Sequence, residues 1–84
     1  MSVDAQHRDT IEQIFRHGAN VEWRRVRSLL DAVGTVEERH DGKLEVTLGG
    51  ERETLQPPHD KDVDVQMLVD LRRMLTRAGL APQA

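Results

Sequence analysis

The chain has no cysteine and no tyrosine, and Phe15 and Trp23 are its only large aromatic residues. Without thiols it forms neither a disulfide nor a thiolate metal site, and it is compatible with a reducing cytosol. Long apolar runs are missing as well: no stretch approaches the roughly 18 residues that a bilayer-spanning helix needs. The opening residues, Met1-Ser2-Val3-Asp4-Ala5-Gln6-His7-Arg8-Asp9, are too polar for a secretory leader. The expectation is a soluble, cytoplasmic protein with no membrane partner. A basic excess is also lacking, since the formal net charge is −3 and the pI about 5.7. Bulk nucleic-acid binding usually leaves the opposite sign, although a local basic face on an acidic protein stays open. No G-x-S-x-G, Gly-rich phosphate loop, H-E-x-x-H or calcium-loop spacing occurs, so neither a cofactor nor a metal is expected.

What is present fits one domain, residues 1–84, with 37% hydrophobic residues and a small core. Pairing with itself as a homodimer, or with a partner, would add the burial that so short a chain lacks. Residues 4–18 have helical spacing, with Ile11, Ile14 and Phe15 on one face, Asp4 as a start cap and Gly18 as a stop. That face is narrow, so this helix is expected to lie on the body of the domain rather than build its centre. A second helix is expected over residues 21–33, capped by Asn20. Its apolar stripe is Trp23, Val26, Leu29, Leu30 and Val33, with Arg24, Arg25, Arg27 and Ser28 off it.

After Gly34 the period changes from helical to extended. Residues 35–39 read as a weak strand and His40-Asp41-Gly42 as a hairpin turn. In residues 43–48, Leu44, Val46 and Leu48 alternate with Lys43, Glu45 and Thr47, as in an antiparallel sheet covered on one face. Gly49-Gly50 makes a second turn. Residues 51–56 read as an edge strand, ended by Pro57-Pro58. A charged loop leads to Asp64, the N-cap of a last helix over residues 65–78. Its expected apolar face is Val65, Leu68, Val69, Leu71, Leu75 and Ala78, with Met67 and Met74 at the margins and Gly79 at the C′ position. The predicted class is α+β: an N-terminal helix added to an α-β-β-β-α body over residues 21–80, with a three-stranded antiparallel sheet and helices on one face.

Histidine titrates near neutral pH, so His40 beside the hairpin turn and His59 after the prolines are the candidate proton-transfer groups. His7 and His17 read as solvent-facing residues of the first helix. His59, Asp60 and Asp62 supply donors but no recognisable ligand spacing. Arg24, Arg25 and Arg27 on one helix, Arg72, Arg73 and Arg77 on another, and Lys43 and Lys61 can make a phosphate-binding face. The competing explanation is a solvated face of ion pairs: Asp70 with Arg73 and Arg77, and Glu22 with Arg25.

Residues 23–80 resemble the HicA family, the mRNA-interferase toxins of bacterial toxin–antitoxin pairs. The likeness rests on Leu29-Leu30-Asp31-Ala32-Val33-Gly34, the turn at Asp41-Gly42-Lys43, the return strand into Pro57-Pro58-His59, and Leu75-Thr76-Arg77-Ala78-Gly79-Leu80. The resemblance implies a fold like the double-stranded RNA-binding domain, cleavage of mRNA without a metal, and a HicB-like antitoxin docking over the active face. The family's activity depends on a histidine at the start of the middle strand, in a Gly-Ser-His pattern that falls here on Asp41-Gly42-Lys43. Lys43 therefore occupies the histidine position. Lysine, with an ordinary pKa of about 10.4, is a poor general base at pH 7 unless strongly desolvated, though its charge can stabilise a developing anion.

Three readings follow. One is an endoribonuclease whose site is rearranged around His40 and Lys43. Another is a non-catalytic module that binds RNA or DNA through Lys43, Arg24, Arg25 and Arg27. The last is a protein-interaction domain on the same scaffold. Glu37, Glu38, Glu45, Glu51 and Glu53 around the sheet repel phosphate and favour the last over the second. The sequence thus reads as a HicA-like domain that is catalytically degenerate rather than active.

Overall fold

A computed structural model describes residues 5–17 and 21–82. The elements run α1 (Ala5–Glu12), a π-helical turn (Gln13–His17), α2 (Trp23–Val33), β1 (Thr35–Glu38), β2 (Leu44–Leu48), β3 (Glu51–Leu55) and α3 (Val65–Arg77). This is the expected α+β order. Three antiparallel strands lie in the order β1-β2-β3. The expectations for Asp4, Gly18, Asn20 and the side chain of His17 fall outside what is described.

The sheet follows from alternation. Leu44, Val46 and Leu48 are buried and join Leu55 in one core with residues of all three helices. Glu45 and Thr47 face the other way and are half-buried, because β2 is the central strand. The two hairpins are fixed by their glycines. Gly42, at φ 88°, closes a three-residue loop in which its N–H donates to the Arg39 carbonyl (3.0 Å) and the Arg39 N–H donates to Lys43 (2.8 Å). This is a type I turn followed by a G1 bulge. Between β2 and β3, Gly49 and Gly50 both have positive φ (56° and 87°), as the tight turn matched to strand twist requires.

α2 presents Val26, Leu29 and Leu30, all fully buried, to the Leu44–Val46–Leu48 face. It starts at Trp23, not Val21, and Glu22 is its N-cap without a side-chain cap bond. Val21 and Glu22 are spent otherwise: the Trp23 N–H donates to the Lys61 carbonyl (2.8 Å) and the Val63 N–H to the Val21 carbonyl (2.9 Å). This short bridge, centred on Glu22 and Asp62, buries Val21 and Val63. Gly34 leaves the helix at φ −155°, a backbone any residue adopts. It is needed for space, because a Cβ there would lie 2.2 Å from the Thr47 carbonyl oxygen.

α3 is capped as expected, the Met67 N–H donating to Asp64 Oδ1 at 2.8 Å. It ends in a Schellman motif: Gly79, at φ 78°, donates to Thr76, and Leu80 donates to Leu75 at 2.8 Å. Its apolar face is rotated from the expected one. Met67, Leu68, Leu71, Met74 and Leu75 are buried, whereas Val65 and Val69 are 76% and 46% exposed. The observed set follows i, i+1, i+4, i+7, i+8, a continuous stripe. Flexible methionines fill the core positions that rigid β-branched residues would otherwise hold.

The N-terminal helix is more than an addition. Ile11 and Ile14 enter the same core, Ile14 with no exposed surface, and burying each contributes about 1.5–3 kcal/mol. Thr10 is buried too, its hydroxyl donating to the Gln6 carbonyl at 3.1 Å. Where the helix widens into its π turn, Arg72 Nε donates to the Ile14 carbonyl at 2.7 Å. That bond ties the segment to α3.

Candidate functional site

One end of the fold collects most of the predicted site residues. Leu44 pairs with Leu55, so the β1–β2 hairpin and the exit of β3 share an end of the sheet. The bridge through Glu22 and Asp62 brings the start of α2 and the 56–64 loop to that end. At the other end Gly49 lies against Ala78. His40 opens the hairpin loop and Lys43 follows it, His59 and Lys61 lie in the 56–64 loop, and Arg24 and Arg25 lie in the first turn of α2.

Sharing an end is not sharing a face. The register pairs Glu37 with Glu45 and Thr35 with Thr47. The same register carries Arg39 and Lys43 onto the open face of the sheet, away from the helices. Arg24, Arg25 and Arg27 belong to the helical layer on the opposite side. Lys43 and the three arginines thus belong to different layers of the fold.

The hairpin offers little for hydrolysis. His40 and Lys43 are both exposed, so nothing desolvates the lysine or screens a reacting group from water. Asp41 Oδ1 accepts from the Lys43 backbone N–H at 3.1 Å, which uses the nearest carboxylate to shape the turn. Among the described residues no three histidines or carboxylates are placed to hold a metal ion.

Six of the twelve cations have internal work. Arg24 pairs with Glu22 at 2.9 Å, Arg27 with Asp31 at 3.4 Å, and Arg39 with Glu45 at 3.2 Å. Arg73 meets Glu53 at 3.1 Å and Asp70 at 3.5 Å, and Arg77 meets Glu51 at 3.7 Å. Of the expected pairs, Asp70–Arg73 forms. Arg77 reaches across to β3 instead of Asp70, and Glu22 takes Arg24 instead of Arg25, because α2 begins one residue after Glu22. Arg72 holds the Ile14 carbonyl. Among the described residues Arg8, Arg16, Arg25, Lys43, Arg52 and Lys61 have no such partner; Arg25 is half-buried and the other five are exposed.

Carboxylates crowd two places on the remaining surface. Glu37 and Glu45 stand directly opposite on β1 and β2, an arrangement that repels and that Arg39 only partly offsets. Beside the hairpin end, Gln56, Pro57, Pro58, His59, Asp60, Asp62 and Asp64 line an open hollow of about 340 Å³. Its walls hold three carboxylates, and Asp64 is already committed to capping α3. His7, expected to face solvent, is half-buried with its Nε2 3.1 Å from Ser28 Oγ, which joins α1 to α2.

Sequence reasoning missed the bridge between residues 21–23 and 61–63, which positions the loop with His59 and Lys61. Alternating Val-Asp pairs in the loop are its only sequence trace. No family model, no curated protein and no solved structure matches this chain. Among the described residues no helix is long and apolar enough to cross a membrane.

Proposed function

We propose that this chain is a binding module on a HicA-like scaffold, without the family's hydrolytic centre, and that its ligand is a protein. What carries the reading is the distribution of charge on the observed fold. Arg24, Arg27, Arg39, Arg73 and Arg77 are paired within the molecule, while Glu37 and Glu45 face each other at the centre of the open sheet face. Phosphate backbones bind through unpaired cations on one surface; among the described residues of the open sheet face Lys43 and Arg52 are unpaired, but they share it with Glu37 and Glu45, which repel phosphate. The α-β-β-β-α order and the Asp41-Gly42-Lys43 turn support the HicA-like scaffold. On that resemblance the partner class is an antitoxin of the HicB kind.

A second reading, a metal-independent endoribonuclease using His40 and Lys43, draws on one observation: His40 opens one three-residue hairpin loop and Lys43 follows it. RNA cleavage by wild type, Lys43→His and His40→Ala separates the two. The expected result is no cleavage by wild type, no salt-dependent RNA binding, and a gain of cleavage in Lys43→His. Cleavage by wild type that is lost in His40→Ala would overturn the proposal in favour of the second reading.

A further inference from the structure

The geometry points to the outer edge of β1 as the place where the protein partner docks, as a basic extended segment that adds a fourth strand. This rests on the protein-binding reading above and names the surface and the chemistry of the partner. Among the described residues β1 pairs only with β2. Because Arg39 donates to Lys43 across the hairpin, alternation turns the N–H and C=O groups of Val36 and Glu38 away from β2. These groups are a template for a further strand.

The side chains say which strand. Glu37 and Glu38 are both exposed and neither is in an ion pair or side-chain hydrogen bond. Glu37 lies on the open face of the sheet and Glu38 on the side of the helices, since Glu38 is opposite buried Leu44. Two consecutive basic residues on an incoming strand would meet them, one on each face. The next partner residue would fall beside Val36, which is half-buried at the rim of the core, and is best apolar. The preferred segment is thus basic-basic-apolar.

Other occupants fit less well. A second copy pairing β1 against β1 would line up four carboxylates along one seam, which repel. β3 as the added strand would bring Glu51 and Glu53, both acidic. The outer edge of β3 is a poorer dock, because Arg73 and Arg77 of α3 already neutralise Glu53 and Glu51. Nucleic acid is repelled by the same unpaired carboxylates.

The test uses the intact chain, labelled with ¹⁵N and titrated with the peptide acetyl-Thr-Lys-Lys-Val-Thr-amide. The expected result is salt-sensitive binding, with the largest shifts and slowed hydrogen exchange at the amides of Val36 and Glu38. Affinity should fall about tenfold for the Glu37→Gln/Glu38→Gln variant, whose charge change leaves the core untouched. On the wild-type protein, methylating alternate peptide nitrogens should abolish binding. Absence of binding, equal binding of the methylated peptide, shifts centred on the 56–64 hollow, or a peptide-free dimer protecting β1 would each overturn the inference. RNA cleavage by wild type would instead remove the reading on which it rests.

Discussion

Replacing Gly34 with alanine should destabilise the domain by crowding alone. The residue lies at φ −155°, so alanine meets no backbone strain there. A Cβ would nevertheless sit 2.2 Å from the Thr47 carbonyl oxygen and 2.4 Å from Leu48 Cδ2. Relief requires the exit of α2 and the central strand to part by about 1 Å in a core packed at crystal-like density. The obstacle is backbone of β2, not the flexible end of a side chain, so the local cost is about 1–3 kcal/mol or more. For a domain of this length about 2 kcal/mol lowers Tm by roughly 8–16 °C. Thermal and urea unfolding followed by circular dichroism reads this directly. Gly42→Ala is the contrasting control, because its φ is 88° and nothing lies within 4 Å of the added methyl; its cost is left-handed strain alone, about 1–2 kcal/mol. If Gly34→Ala unfolds within 0.5 kcal/mol of wild type, a threshold below the usual effect of core mutations, the close approach of α2 to β2 is wrong.

Arg72→Met keeps the aliphatic stem but leaves the Ile14 carbonyl without its donor; a loss of about 1.5–3 kcal/mol, with faster hydrogen exchange over residues 10–17, is expected, and unchanged exchange would show that the bond does not hold α1. Asp64→Ala removes the cap on the Met67 N–H and should cost about 1 kcal/mol, measured by urea unfolding, with Asp64→Ser restoring most of it. Leu71→Ala should cost about 2–5 kcal/mol, whereas Val69→Ala, on the exposed side of the same helix, should stay within about 0.5 kcal/mol. Equal losses from the two would contradict the observed rotation of α3.

Much of the scaffold was legible because local rules left few alternatives. Alternation at Leu44, Val46 and Leu48 marked the buried side of β2, and Asp41-Gly42 and Gly49-Gly50 marked both turns. Asp64 and Gly79 bounded α3 through capping chemistry that depends only on neighbours in the chain. The reading of α3's face failed because Val65 and Val69 share helical spacing with Leu68 and Leu75. Periodicity alone cannot rank two overlapping stripes; contact with β2 and β3 did, and it buried the methionines instead. The arginines illustrate the same limit, since Arg73 and Arg77 found carboxylates on β3 that are distant in sequence.

By itself the sequence determined the class of the fold, the strand that supplies the sheet's buried face, the turns and the helix ends. All of these depend on side chains within a few residues of one another. Only the tertiary structure decided that the first helix belongs to the core, that Arg72 anchors it, and that residues 21–23 pair with residues 61–63. It also decided that Lys43 and the arginines of α2 lie on opposite sides of the sheet. Each is a relation between segments far apart in the chain. What sets it is how apolar faces, paired charges and backbone hydrogen bonds are satisfied together in one small volume.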